Sequence, residues 1–189
     1  KEYNLNFALL ATPAEGLSGR FVNIDKAILS GGSAGAHLAL MYAYTQSDEA
    51  AIKPVAVCAY CPPVDCSKID FLLGISGEFE SWKYEIMSKC ADCKITKDTF
   101  TKNEQQKALK KMSPISYISK NCVPTAVFHG KNDELIPLEH IDVFLSDLKD
   151  AGVKNDFLLF ENSGHAQKDD PKAHIIAKNI IEQYLNQYL

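Results

Sequence analysis

The fold of this chain turns on the run Ala27-Ile28-Leu29-Ser30-Gly31-Gly32-Ser33-Ala34-Gly35-Ala36-His37-Leu38-Ala39-Leu40. A short apolar segment ends in two glycines. A serine, a small residue and a third glycine follow, then an apolar helix-forming stretch. This is a G-x-S-x-G pattern set between a predicted strand and a predicted helix, the context in which a serine can serve as a nucleophile. The residue types have a physical reason. A turn sharp enough to lift the Ser33 hydroxyl clear of the backbone strains the serine, so its neighbours must be tiny. The N–H groups that open the helix then face any negative charge that develops there. Taken alone, the run is equally a glycine-rich turn in which serine caps a helix, so the rest of the chain has to decide.

Working outward, the first strand is predicted at about Lys26 to Ser30. The helix after Ser33 runs to about Thr45, with Leu38, Met41, Tyr42 and Thr45 at helical spacing. Pro54 to Tyr60 is an almost unbroken apolar run, as in a parallel strand covered on both faces. Val123 to His129 and Asn155 to Phe160 are the next strands. Between them a helix opens at Pro137, carries Ile141, Phe144, Leu145 and Leu148, and stops at Gly152. A last helix from about Pro171 to Tyr188 shows a stripe of Ile175, Ile176, Ile180, Ile181, Tyr184 and Leu185. Asn4 to Ala11 fits a strand or a helix end before Pro13, Gly16 and Gly19 break the pattern. Residues 66–112 leave the strand–helix rhythm. They hold Phe71, Leu72, Leu73, Phe79, Trp82, Tyr84, Ile86 and Met87, then a lysine-rich stretch, and are expected to form a cap insertion or an ordinary pair of surface helices.

Alternating strands and helices with apolar strands imply an α/β fold: a mostly parallel sheet with helices on both faces. Ligands in such sheets bind beyond the carboxyl ends of the strands. Ser33 follows the first strand, Asp133 the third and His165 the fourth, so all three fall on one edge. A serine hydroxyl is a poor nucleophile until a base takes its proton, and the base needs an orienting acid. His165, in a Gly-flanked loop, is the candidate base, and Asp133 the acid that fixes its tautomer. Ala34 offers an N–H to an oxyanion. Gly32 and Asp65, at the same edge, are candidate substrate contacts, and Asp65 is also a runner-up acid. Glu134, Asp169 and Asp170 are weaker alternatives on position. His37, His129, His140 and His174 are expected to be structural.

Composition limits the partners. A length of 189 residues suits a single domain spanning 1–189. A net charge of -4 gives no reason to expect nucleic acid. No apolar run reaches the ~20 residues of a membrane span, and no signal peptide is visible, so the expectation is a cytoplasmic protein. Of the six cysteines, Cys58-x-x-Cys61 and Cys90-x-x-Cys93 have the spacing of a four-thiolate zinc site. Cys58 and Cys61 lie on a strand, however, where residues three apart point to opposite faces, so buried free thiols are expected instead.

The residues quoted resemble a known family. Gly31 to Ala39 is similar to the nucleophile elbow of the acetyl-esterase/lipase branch of the α/β-hydrolases, the group that includes hormone-sensitive-lipase-like esterases. His129-Gly130-Lys131-Asn132-Asp133-Glu134-Leu135-Ile136-Pro137 resembles that family's acid turn, and Ser163-Gly164-His165-Ala166 its histidine loop. The resemblance covers the chain from about residue 22 onward. It implies a serine hydrolase of small carboxylic esters, short acyl or acetyl esters with sugar esters in range, in which Ser33, Asp133 and His165 are nucleophile, acid and base. That chemistry needs no metal and no organic cofactor. The family's HGG-type oxyanion loop does not precede Ser33 here. The expectation is a fold lacking the family's usual N-terminal strands, which leaves the Ala27–Ser30 strand as an exposed edge unless residues 1–25 are reorganised to cover it or a second copy of the chain does. Two rival readings share the fold: a prolyl-oligopeptidase-type peptidase, and a non-catalytic binding protein.

Overall fold

The computed structural model describes residues 7–10, 25–46, 50–68, 70, 71 and 80–189. Expectations for Pro13, Gly16, Gly19, Leu72, Leu73 and Phe79 lie outside the described residues. A five-stranded sheet has the order β1 (Phe7–Leu10), β2 (Lys26–Gly32), β3 (Lys53–Tyr60), β4 (Thr125–Gly130) and β5 (Asn155–Phe160). Strands β2 to β5 are parallel, and β1 runs antiparallel to β2 with Phe7 opposite Gly31 and Leu10 opposite Ile28. Of the two expected covers for the Ala27–Ser30 edge, the segment before it is the one found: Phe7–Leu10 supplies the ladder partner, so the backbone of β2 is paired on both sides.

The helices are α1 (Ala34–Thr45), α2 (Glu80–Ala91), α3 (Asn103–Lys111), α4 (Leu138–Asp150) and α5 (Pro171–Tyr188). Strand alternation sorts the core into two layers. Ala27, Leu29, Val57, Ala59 and Val127 face one side, where they meet α1, α4, Met87 of α2 and Leu109 of α3. Ile28, Ala56, Cys58, Ala126 and Phe128 face the other and pack on Ala177 and Tyr184 of α5. Helices thus cover both faces of a mostly parallel sheet.

Two helix faces differ from the sequence reading. In α1 the buried residues are Gly35, Ala36, Ala39, Leu40 and Ala43, while Leu38 and Tyr42 are exposed. Small side chains let α1 lie close on β2 and β3, and the larger residues that set the apparent stripe point away. In α5, Ile175 and Ile176 are exposed, and the contact with the sheet runs through Ala177 and Tyr184, with Ile180 and Ile181 partly buried beside them. Gly152 closes α4 with φ 74°, a conformation in which glycine carries no Cβ penalty.

Candidate active site

The elbow at Ser33 is held from three directions. Gly31 is the residue the turn cannot replace. A Cβ there would lie 2.4 Å from the Gly35 carbonyl carbon and 2.7 Å from the Ala36 nitrogen, so β2 and the start of α1 touch backbone to backbone. Ser33 itself sits at φ 51°, ψ −118°, a strained conformation for a residue with a side chain. Its N–H donates to the Tyr60 carbonyl of β3 at 2.8 Å, and its carbonyl accepts the His37 N–H at 3.0 Å as the first bond of α1. The Ser33 side chain makes no capping bond to the helix, so the bland reading of a serine cap is not what the hydroxyl does. Gly32 is exposed, with open space where a Cβ would stand.

The hydroxyl instead meets His165. The Ser33 Oγ to His165 Nε2 distance is 2.9 Å, and His165 Nδ1 lies 2.8 and 3.0 Å from the two carboxylate oxygens of Asp133. With Nδ1–H donating to the carboxylate, Nε2 is left as the acceptor for the serine O–H. The Asp133 side chain is fully buried, and its Oδ1 also accepts the Leu135 and Ile136 N–H groups, each at 2.9 Å. Burial pushes its carboxyl up, but the bonds from His165 and from the two backbone amides outweigh it. The net effect is a pKa below the ordinary carboxylate value.

The histidine loop is tied down at both ends. Asp170 Oδ2 accepts the Asn162 N–H at 2.9 Å and the Ser163 hydroxyl at 2.6 Å, and Ser163 Oγ accepts the Asp169 N–H at 3.0 Å. Asp170 thus holds the loop and does not approach the imidazole. Glu134 has a similar part: its Oε2 accepts the His165 N–H at 3.1 Å. Neither role is visible in sequence spacing, because each depends on how two loops close. His174 Nε2 donates to the Gln167 carbonyl at 2.6 Å, fastening the loop's far side to α5. Gly130 lets the acid turn and this loop meet, since a Cβ there would fall 2.3 Å from the Gly164 oxygen.

The remaining candidates lie elsewhere. Asp65 is largely buried and accepts both the N–H and the hydroxyl of Ser67, at 3.0 and 2.6 Å, beside a cavity lined by Lys68, Asp70 and His140. It makes no bond to His165, so the structure does not bring the runner-up acid to the base. His140 Nε2 bonds Asp70 at 2.8 Å, and His37 Nδ1 donates to the Pro63 carbonyl at 2.9 Å. All six cysteines are free, and Cys58, Cys61 and Cys66 are buried. Cys61 has one further feature. Its sulfur, a nitrogen of His129 and an oxygen of Asp133 lie within 4.8 Å of one another, a donor set in range of a metal ion. The carboxylate's oxygens are already taken by His165 and two amides, and His129 Nε2 by the Ile136 carbonyl at 3.0 Å, while His129 Nδ1 has no partner among the described residues. Among the described residues no helix is long and apolar enough to cross a membrane.

Known proteins resemble this chain in sequence or in fold. The chain is 27% identical over 152 residues to the esterase LipQ of Mycobacterium tuberculosis, an alignment covering 75% of this chain and 33% of that protein. The propionate-bound esterase Est2 of Thermogutta terrifontis superposes with a TM-score of 0.58 at 22% identity, over 85% of this chain and 55% of that one. An acylaminoacyl peptidase in complex with a chloromethyl ketone superposes with a TM-score of 0.60 at 18% identity, over 89% of this chain and 24% of that one. This chain therefore spans about a third to a half of the two esterases' length. The two superpositions speak for the fold. The BD-FAE family model matches residues 20–148, which include the elbow, β3, β4 and the acid turn. The chain belongs to the BD-FAE family, an α/β-hydrolase family.

Proposed function

We propose that this chain cleaves small carboxylic esters with Ser33 as nucleophile, His165 as general base and Asp133 as its orienting acid. The observation that carries the reading is the unbroken line from hydroxyl to imidazole to buried carboxylate, at 2.9 and 2.8 Å. In the first step Ser33 Oγ attacks the ester carbonyl carbon and its proton passes to His165 Nε2. The carbonyl oxygen becomes an oxyanion, for which the Ala34 N–H at the start of α1 is the proposed donor. The C–O bond then breaks, the alcohol leaves with the proton from His165, and an acyl-Ser33 remains. Water, deprotonated by the same imidazole, attacks the acyl carbon; the C–Oγ bond breaks, Ser33 Oγ takes the proton back from His165 Nε2 and the acid leaves. Asp133 remains an anion throughout and stabilises the imidazolium. The segment 66–112 is assigned the role of setting specificity, and Gly32, exposed beside Ser33, that of a substrate contact.

The test is direct. A serine-directed fluorophosphonate labels Ser33, p-nitrophenyl acetate and butyrate are turned over, and Ser33→Ala abolishes both. If the folded protein resists labelling and leaves the esters intact, the reading fails. Cleavage of an acylated aminoacyl amide in preference to both esters favours the peptidase alternative. Binding of short acyl ligands that Ser33→Ala leaves unchanged, with no turnover, favours the non-catalytic one.

A further inference from the structure

The acid turn hangs on a residue that the reaction does not use. His129 precedes Asp133 by one helical turn's worth of sequence, at the carboxyl end of β4, and its side chain is completely buried. Its Nε2 lies 3.0 Å from the Ile136 carbonyl and 3.6 Å from Asp133 Oδ2. A carbonyl only accepts, so the proton is on Nε2, and Nδ1 carries a lone pair that has no partner among the described residues. Burial lowers the ring's proton affinity, so the ring stays neutral and does not compete with His165 as a counter-charge to Asp133. The Cys61 thiol beside it is held neutral as well, chiefly by burial and then by the Asp133 charge.

An apolar side chain of similar size would fill this site without leaving a nitrogen unsatisfied. What the imidazole adds is one hydrogen bond, and that bond falls on the peptide that grips the acid. The Ile136 carbonyl accepts from His129, and the Ile136 N–H donates to Asp133 Oδ1 at 2.9 Å. We infer that His129 is a positioning residue for Asp133. Its Nε2–H fixes Ile136, Ile136 and Leu135 occupy Oδ1, and Oδ2 is thereby presented to His165 Nδ1 at 2.8 Å. The inference rests on Asp133 being the acid of the proposed hydrolase, but the contact it predicts can be read without turnover.

The experiment compares the full chain with His129→Leu, His129→Gln and His129→Asn. Leu removes the donor. Gln carries an amide N–H to about the reach of Nε2, and Asn falls short of it. The first readout is the low-field proton resonance of His165 Nδ1–H in protein labelled with ¹⁵N-histidine, which reports the bond to Asp133. The second is kcat and KM per site titrated with fluorophosphonate. In the Leu and Asn variants the low-field proton is expected to move upfield or vanish, and kcat per site to fall about ten-fold with KM held within about two-fold. Gln restores both. If the Leu protein fails to fold, the Gln and Asn pair carries the same comparison. A Leu or Asn variant that keeps the low-field proton and the kcat of the parent overturns the inference, whatever its melting temperature. A parent that takes no label, but whose low-field proton still responds to these substitutions, overturns the esterase reading and leaves the positioning role standing.

Discussion

At the scale of single residues, the two glycines before Ser33 have opposite tolerances. A methyl at Gly31 drives into the Gly35 and Ala36 backbone, which cannot swing aside as a side chain can. Gly31→Ala is expected to cost about 3 kcal/mol in urea unfolding, the upper end for overpacking in a core. A methyl at Gly32 meets nothing, so Gly32→Ala is expected to stay within about 1 kcal/mol of the parent in the same titration. Asp133 gives a sharper chemical test. The Leu135 and Ile136 N–H groups both point at Oδ1. In Asp133→Asn the amide oxygen must take that position, so its NH₂ faces His165. The imidazole then accepts at Nδ1 and carries its proton on Nε2, where it cannot receive the serine's. Steady-state kinetics should show kcat lower by on the order of 10³–10⁴ with the fold intact. A ten-fold loss or less would mean that the carboxylate does not set the tautomer.

At the scale of elements, the strands and the ends of helices were legible, and the buried faces of two helices were not. β5 and α5 have the boundaries expected, because an apolar run between polar turns and a proline at the first helical position are local signals. The convergence of Ser33, Asp133 and His165 was also legible, since chain order and a parallel sheet put all three loops at one edge. Hidden in the sequence was how Asp170 and Glu134 act on the histidine loop across a gap between loops, whereas the pairing of Phe7–Leu10 with β2 was one of the covers the bare edge allowed. The face of α1 was misread for a physical reason. Hydrophobic size marks the stripe that repels water most, whereas the contact with a close-lying sheet selects small residues. Ala39→Leu is therefore expected to destabilise by about 1–3 kcal/mol, and Leu38→Ala by less than about 0.5, although periodicity alone would rank them the other way. Urea midpoints of the two variants decide the order.

At the scale of the whole molecule, burial of histidine couples stability to pH. His37 and His129 both have pKa values lowered from the ordinary 6.5, first by burial, opposed at His37 by its bond to the Pro63 carbonyl and at His129 by the Asp133 charge and then the bond to the Ile136 carbonyl. The unfolded chain takes up these two protons before the folded one does. Stability is thus complete above about pH 6.5 and declines as the pH falls below it, by at most about 1.4 kcal/mol per pH unit for each histidine. Asp133 acts lower on the scale. Its folded carboxyl is depressed below the ordinary 3.8, so its contribution is present above that value and is lost as the pH falls through the folded one. The midpoint of urea unfolding should therefore drop steadily from pH 7 to pH 5, a range in which Asp133 does not titrate. His37→Asn separates the cause. Asn keeps a donor for the Pro63 carbonyl, where His37 Nδ1 now stands at 2.9 Å, but it cannot take a proton. The variant should lose part of the slope between pH 7 and pH 5 while matching the parent's cooperativity. An unchanged slope would mean that His37 is protonated in the folded chain as easily as in the unfolded one, and that its burial on α1 exerts no such coupling.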